Sequence, residues 1–228
     1  VALLTVMPGQ AATKKKTGWD EFNIKGKVKT VAWAHYYIQI VFGEAKQELH
    51  EKGQIKFDAV GNVVERTKYK PSYQGTTKRV YKYNAAKNQV ELAYYRADGS
   101  LSGMNLYKYD AAGNQIESTY YNSDGSLSGK TISKYDAAGN QIESASYKAD
   151  GSLFSKHISN YDTAGNRIES ASYNADGSLS GKTISKYDAT GNMIEEAGYN
   201  ADGSLSGKTI YKYDAAGNKI EQAYYKAD

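Results

Sequence analysis

Most of this chain consists of short, largely polar stretches that contain a few Leu, Ile, Ala or Tyr residues and are separated by glycine-containing turns. In one unit, Leu127–Tyr135 and Gln141–Tyr147 are two such stretches, and stretches of this length between turn residues are typical of β-strands. The segments that follow them, Asp136–Asn140 and Lys148–Ser152, each place glycine at the third loop position, where a type I turn with a G1 bulge needs a positive φ. The pattern predicts a β-hairpin and argues against a helix, because glycine recurs every 12–14 residues.

The hairpin pattern recurs with a fixed step of 26 residues. Its first marker is an aromatic residue followed by Asp or Asn, found at Phe57-Asp58, Tyr83-Asn84, Tyr109-Asp110, Tyr135-Asp136, Tyr161-Asp162, Tyr187-Asp188 and Tyr213-Asp214. Its second marker, Asp-Gly-Ser, begins at Asp98, Asp124, Asp150, Asp176 and Asp202. Such self-similarity is the signature of a repeat architecture. We therefore predict an all-β fold in which tandem β-hairpin repeats form an extended, twisted or curled antiparallel single-layer sheet, a β-meander with solenoid character.

Counting outward from the turn predicts which side chains share a face of this sheet. If Tyr135 pairs with Gln141 and no residue is skipped, Tyr135 and Tyr147 share one face. Ile132 and Ile142 then lie on the other face, between rows of lysine, so that neither face is fully apolar. The tyrosine face is the candidate binding face, and its members are Tyr95, Tyr121, Tyr147, Tyr173, Tyr199, Tyr225, Tyr109, Tyr135, Tyr161, Tyr187 and Tyr213.

Three segments are expected along the chain. Residues 1–16 contain the apolar run Val1–Met7 and small residues after it, which resemble the remnant of a secretory signal peptide; the alternatives are a tail or a donor strand for a neighbouring sheet edge. Residues 17–56 are predicted to form N-terminal cap strands, including one long strand over Lys27–Phe42 and a turn or short loop over Gly43–Glu51. Residues 57–228 hold six full repeats and one partial repeat. We expect either that the chain continues beyond Asp228 or that its last strand pairs with another chain.

Amino-acid composition and charge exclude several classes of function for this chain. The net charge of +4 comes from residues 1–56, which contain nine lysines and five acidic residues, so the repeats are neutral overall. A nucleic-acid-binding protein would carry a basic stripe on the body of its fold, and we expect no nucleic-acid partner. The chain has 22 Tyr and no Cys, which excludes disulfides and thiolate metal sites. No segment has the roughly 20 apolar residues that a transmembrane helix needs.

The sequence contains no recognisable catalytic or metal-binding constellation. His35 and His50 lie in the N-terminal segment and His157 lies in the repeats, and the three have no metal-ligand spacing. One glutamate recurs in every second strand, as at Glu117 and Glu143, and is interpreted as a cross-strand partner of lysine rather than as a catalytic carboxylate. Identical repeats supply copies, whereas an active site needs a unique set of residues. We expect no enzymatic activity and no cofactor.

The motif Tyr-Asp-Ala-Ala-Gly-Asn followed by isoleucine, as in residues 109–116 and the copies at 135, 161, 187 and 213, resembles the RHS/YD-repeat family. That resemblance implies β-hairpins wound into a spiralling sheet. The chain looks most like small secreted YD-repeat proteins of Bacteroidetes-like bacteria. Residues 120–129 also resemble, more weakly, the hairpins of choline- and glucan-binding cell-wall repeats, although the repeats here lack Trp.

Two functions are consistent with these features. The first is a non-enzymatic structural or adhesive protein of the cell envelope or extracellular space of a Gram-negative bacterium, assembling end to end into filaments through open sheet edges. Its partners would be other copies of itself or another surface protein. The alternative is a carbohydrate- or cell-wall-binding module that stacks glycan on its repeated Tyr rows.

Overall fold

The computed structural model describes residues 18–24, 26–42, 44–73 and 75–227. The predictions for the signal-peptide remnant, tail or donor strand at residues 1–16, and for pairing at Asp228, lie outside the described residues. The chain divides into two compact units, one comprising residues 1–89 and 94–99 and the other comprising residues 90–93 and 100–228. The described residues contain no helix with the length and apolar character needed to cross a bilayer.

The described part of the chain forms one open antiparallel sheet whose 15 strands follow each other in sequence order, which confirms the predicted all-β meander. One helical turn, α1 (Gly18–Glu21), precedes the sheet, and a short 3-10 helix (Pro71–Tyr73) lies between β3 and β4. The strands are β1 (Thr30–Val41), β2 (Glu44–Phe57), β3 (Val63–Lys70), β4 (Gly75–Tyr83), β5 (Gln89–Tyr95), β6 (Leu101–Tyr109), β7 (Gln115–Asn122), β8 (Leu127–Tyr135), β9 (Gln141–Lys148), β10 (Leu153–Tyr161), β11 (Arg167–Tyr173), β12 (Leu179–Tyr187), β13 (Met193–Asn200), β14 (Leu205–Tyr213) and β15 (Lys219–Lys226).

The N-terminal segment differs from its prediction in one respect. The long strand is present as β1, but the turn or loop expected over Gly43–Glu51 is wrong, because Glu44–Phe57 forms a single strand that pairs with β1 along its whole length. Polar residues fill this strand, and their pairing with β1 overrides their weak strand propensity. Strand β3 pairs with β2 only over Lys52–Phe57. The outer half of the β1–β2 hairpin therefore extends beyond the third strand.

A small apolar core forms beside this hairpin in the first unit. Ile55, Phe57 and Val63 are each about 5–6% exposed, and the ring of Trp19 packs against them. The indole N–H of Trp19 donates to the carbonyl oxygen of Val28 at 2.7 Å. A Cβ atom at Gly61 would lie 2.6 Å from the Trp19 ring, so this position needs glycine for close packing as well as for its φ of +90°.

The register of the repeat hairpins corrects the predicted faces. Tyr135 pairs with Gln141 as expected, but the next pair is Lys134 with Glu143. Ile142 is thus an extra residue, a β-bulge that shifts every later pair by one position. The predicted pairing of the two strands assumed that no residue is skipped and is wrong beyond the first pair.

A second bulge restores the register in the next hairpin. Leu153 pairs with Tyr147 and Ser155 pairs with Ser146, which leaves Phe154 as the extra residue. The two shifts of one residue therefore cancel within this repeat. An even period of 26 residues is for this reason compatible with the predicted register and with the observed one.

The two faces that result have different chemistry. On one face, which we call the lysine–glutamate face, β8 contributes Lys130, Ile132 and Lys134, and these pair with Tyr147, Ala145 and Glu143 of β9. On the other face, which we call the hydroxyl face, Thr131 and Ser133 pair with Ser146 and Ser144. Tyr135 follows the alternation of β8 and lies on the hydroxyl face. Tyr135 and Tyr147 are therefore on opposite faces, contrary to the prediction.

Candidate functional site

The aspartate of each Tyr-Asp motif holds its own turn together. Oδ1 of Asp136 accepts backbone N–H groups from Ala138 and Asn140, each at 2.9 Å, and Oδ2 accepts the Asn140 side-chain amide at 3.0 Å. Gly139 completes the turn with a φ of +86°, as predicted for a G1 bulge. The hydrogen bond from the Asn140 side chain, followed by the backbone bonds, lowers the pKa of Asp136. This carboxylate stabilises the turn and is not directed outward at a ligand.

In the Asp-Gly-Ser turn the aspartate likewise accepts hydrogen bonds from its own turn, here from a serine hydroxyl as well as from the backbone. Oδ1 of Asp150 accepts the backbone N–H of Ser152 at 2.8 Å and its hydroxyl at 2.6 Å. Gly151 has a φ of +82°. The hydrogen bond from the Ser152 hydroxyl is the main reason that the pKa of Asp150 is lowered. Both recurrent aspartates therefore stabilise turns.

The glutamate row on the lysine–glutamate face is paired with lysine. Glu143 contacts Lys134 at 3.0 Å on one neighbouring strand and Lys156 at 3.4 Å on the other. The hydrogen bond from Lys134 lowers the pKa of Glu143. Ala145, beside this ion pair, is only 2% exposed, so the alkyl chains around it cover the sheet. The interpretation of these glutamates as cross-strand partners of lysine is confirmed.

Tyrosines near the ends of β5, β7, β9, β11, β13 and β15 form a row on the lysine–glutamate face, and four of their rings, those of Tyr95, Tyr147, Tyr199 and Tyr225, lie under a lysine. The Lys130 ammonium group lies 5.9 Å from the centre of the Tyr147 ring, and Lys182 and Lys208 lie similarly over Tyr199 and Tyr225. A cation at this distance is attracted to the ring face. The side of the ring that a sugar would stack on is therefore shared with a lysine. The set consists of Tyr95, Tyr121, Tyr147, Tyr173, Tyr199 and Tyr225.

The tyrosines of the Tyr-Asp motif fasten neighbouring strands on the hydroxyl face. The Tyr135 hydroxyl donates to the carbonyl oxygen of Gln115, 20 residues earlier, at 3.1 Å. The same bond recurs, at distances between 2.9 and 3.2 Å, from Tyr83, Tyr161, Tyr187 and Tyr213. Burial raises the pKa of Tyr83 to about 12. Tyr109 also belongs to a Tyr-Asp motif. The candidate tyrosines thus divide into two rows with different contacts, and the structure does not bring the two rows together into one surface.

His157 lies in the repeats, whereas His35 and His50 lie near each other on β1 and β2, where His35 pairs with Glu51. His157 has hydroxyl partners at both ring nitrogens, Ser170 at 2.8 Å and Ser172 at 3.1 Å. His35 lies 3.4 Å from Glu51, and the ring of His50 packs on that of Tyr37 at 4.4 Å. Within the described ranges, no three His, Asp or Glu side chains are placed to hold a metal ion together.

A groove in the first unit was missed by sequence reasoning. It has a volume of about 370 Å³ and is lined by Trp33, Glu51, Lys68 and Arg79 among others. The Trp33 ring lies across Gly53, where a Cβ atom would be 2.7 Å from the ring. Glu51 is 9% exposed and binds Lys68 at 2.5 Å, and this hydrogen bond is the main reason that the pKa of Glu51 is lowered. A glycine opposite a tryptophan, outside the repeats, is the sequence signal that marks the groove.

A cluster of exposed apolar residues lies on the outer half of the β1–β2 hairpin, which we call the arm (residues 36–42 and 44–49). Its strands pair from Tyr36 with Leu49 to Val41 with Glu44, beyond the reach of β3. Tyr36 and Tyr37 are each 55% exposed, Ile38 is 66% exposed and Ile40 is 78% exposed. Successive residues of a strand point to opposite faces, so the arm exposes apolar groups on both. A cluster of this kind is typical of an interaction site.

No protein-family profile matches the chain, and no curated protein matches it. Among solved structures, the chain is similar to TcdB2-TccC3 without its hypervariable C-terminal region, with 12% identity and a TM-score of 0.42 over 86% of this chain and 14% of that one. It is also similar to a porin-like protein from Bacteroides uniformis, with 10% identity and a TM-score of 0.40 over 82% of this chain and 92% of that one. At TM-scores below 0.5, neither similarity carries a family assignment or a function, and the resemblance to RHS/YD-repeat proteins stays a prediction from the motifs.

Proposed function

We propose that this chain is a non-enzymatic structural and adhesive repeat protein of the bacterial cell envelope, and that it associates with other copies of itself through the edges of its sheet. The proposal rests on the observation that the recurrent polar groups bond to other groups of the same chain. The turn aspartates, the glutamate row and the Tyr-Asp hydroxyls are each bonded to a neighbouring group of the same chain. Such a design supports a sheet and leaves its edges as the places for contact with partners.

The self-associating part of the proposal is supported by β1. Within the described residues, β1 pairs with β2 alone, and its other edge therefore offers backbone N–H and C=O groups to a further strand. The envelope location is supported by the Tyr-Asp motifs, which resemble those of secreted RHS/YD-repeat proteins.

Sedimentation velocity combined with negative-stain electron microscopy tests this proposal. We expect ordered oligomers or filaments when the purified full-length protein is concentrated. A monodisperse monomer at every concentration would contradict self-association and leave the chain without the proposed adhesive role.

A second candidate is carbohydrate binding, and the groove around Trp33 favours it more than the Tyr rows do. Tryptophan is a common stacking surface for sugar rings, and the groove also presents Arg79, whereas Lys68 in the same groove is paired with Glu51. The carboxylate of an acidic sugar would pair with Arg79. Calorimetric titration with uronic-acid-containing oligosaccharides should give a signal that Trp33→Ala abolishes and Tyr147→Ala retains. Binding that is lost with Tyr147→Ala alone would instead support the Tyr rows.

A further inference from the structure

We infer that β1 is the self-association edge, and that it pairs antiparallel with β1 of a second copy about a two-fold axis. This inference rests on the proposed function to the extent that copies of the chain associate. It adds the strand that is used, the symmetry of the contact and the stoichiometry.

The first argument is the charge of the strand. Edge strands are usually protected from pairing by charged residues, especially lysine. Strand β1 spans 12 residues, Thr30–Val41, and contains no Asp, Glu, Lys or Arg. Strand β15, the last strand of the described residues, carries Lys219, Glu221 and Lys226 within eight residues. Of these two strands, β1 lacks the usual protection and β15 has it, which favours β1 paired with β1 over β1 paired with β15.

The second argument is the isolation of the arm. Two strands alone are marginally stable in water and gain stability when further strands join them. The arm consists of only two strands, because β3 reaches no further along β2 than Lys52. It nevertheless exposes Tyr36, Ile38 and Ile40 on one face and Tyr37 on the other. Pairing two arms through β1 would produce a four-stranded sheet and cover the sides of these residues.

The third argument is the self-complementary order of side chains in β1. In an antiparallel pair centred on Ile38, the isoleucine meets its own copy across the axis. Tyr36 then lies opposite Ile40 of the second copy, and the same pair recurs on the other side of the axis. Aromatic side chains paired with β-branched ones are among the favourable cross-strand combinations. Because the strand carries no charge, no like-charged side chains oppose each other in this register.

The symmetry has a consequence for the size of the assembly. A contact between two identical surfaces is isologous and closes after two copies, whereas a head-to-tail contact continues into a fibre. Pairing through β1 therefore gives a dimer. The dimer is expected to be the dominant species, with any filament requiring a second and separate contact.

Substitutions at two positions of the full chain, Ile38 and Ile220, test the inference. Ile38→Lys places a charge at the centre of the contact and should raise the dissociation constant of the dimer by more than about tenfold in sedimentation equilibrium. Ile220→Lys on β15 is the matched control, because Ile220 is 65% exposed and comparable with Ile38 at 66%; it should leave the dissociation constant unchanged. The chain has no cysteine, so Ile38→Cys should form a single intersubunit disulfide under oxidising conditions, while Ile220→Cys should not.

The outcomes separate this inference from the proposed function. Association that is insensitive to Ile38→Lys, or lost with Ile220→Lys, would overturn the inference while self-association itself stands. Loss of association with Leu4→Lys and not with Ile38→Lys would identify the apolar run at residues 1–7 as the occupant of the edge and would also overturn it. A monomer throughout would overturn both.

Discussion

The carboxylate of Asp188 accepts four hydrogen bonds within a single turn. Its donors are the backbone and hydroxyl of Thr190, at 2.9 and 2.7 Å, and the backbone and side-chain amide of Asn192, at 3.0 and 3.2 Å. The pKa of this group falls from its ordinary value of 3.8 to about 2, chiefly because of the Thr190 hydroxyl. At the residue scale, the fold is a series of such turns in which an ionised aspartate orders the backbone.

The stability of the folded protein should therefore decrease at acid pH, over a defined pH range. Because the pKa of Asp188 and of the other turn aspartates is lower in the folded state, the ionised groups stabilise the protein above the unfolded-state pKa of 3.8. That contribution is lost as the pH falls towards about 2. The urea midpoint should be level from neutral pH to about pH 5 and then fall steeply below pH 4. A midpoint that stays level down to pH 2 would contradict this role of the aspartates.

One repeat turn has a lysine at the position where the other Tyr-Asp turns have glycine, and its backbone is strained. Lys87 occupies the glycine position of its turn with a φ of +61°, a conformation that costs free energy for any side chain with a Cβ atom. Lys87→Gly should raise the free energy of unfolding of the N-terminal unit by about 1 kcal/mol. The neighbouring Ala86→Gly should be neutral or destabilising in the same urea titration. An equal gain from both substitutions would show that the left-handed conformation is not the cause.

At the scale of the elements, successive hairpins are joined by tyrosine hydroxyls in addition to the backbone ladder. The Tyr213 hydroxyl reaches from the end of β14 to the carbonyl oxygen of Met193 at the start of β13, at 2.9 Å. Tyr199 is a tyrosine of the other row and packs against Lys182. The two rows therefore stabilise the sheet in different ways, one by a directed hydrogen bond and one by ring contacts.

This difference predicts unequal effects of removing a hydroxyl. Tyr213→Phe should lower the free energy of unfolding by about 1 kcal/mol, because it leaves the Met193 carbonyl without its donor. Tyr199→Phe keeps the ring beneath Lys182 and should change it by less than about 0.5 kcal/mol. Chemical unfolding of both variants checks the comparison; equal losses would contradict the distinct roles of the two rows.

The sequence predicted the repeat, the hairpins and the turns, but not the register between the strands. The positions of Gly139 and Asp136 fixed the turn, since a positive φ and a carboxylate acceptor are local requirements. Parity alone could not reveal the bulges at Ile142 and Phe154, because the two shifts of one residue cancel within this repeat. The pairing of opposite charges would have indicated the bulges, because only the shifted register places Lys134 opposite Glu143.

The features of the first unit were harder to predict because they occur once and depend on packing between distant residues. The single turn α1 is fixed by tertiary contacts: Gly18 donates its N–H to the carbonyl oxygen of Gly61 at 2.7 Å, and Trp19 packs on the Phe57 ring at 6.5 Å between centroids. The groove at Trp33 likewise depends on Gly53. No local propensity specifies such long-range pairs.

At the scale of the whole molecule, similar repeats form the scaffold, and the proposed contact between copies lies at the N-terminal edge of the sheet. In a repeat protein each unit interacts mainly with its neighbours, so one unit can be removed without loss of the others. Joining Asp136 directly to Thr163 removes one 26-residue repeat and preserves the turn, because Thr163, Ala164 and Gly165 then take the place of the original loop.

The dissociation constant of this shortened protein, measured by sedimentation equilibrium beside that of the full chain, is the most direct test. We expect a folded protein whose dissociation constant agrees with that of the full chain within about twofold, because the proposed contact lies on β1 and not on the repeats. Self-association that weakens in proportion to the missing repeat, or a shortened chain that no longer folds, would contradict it.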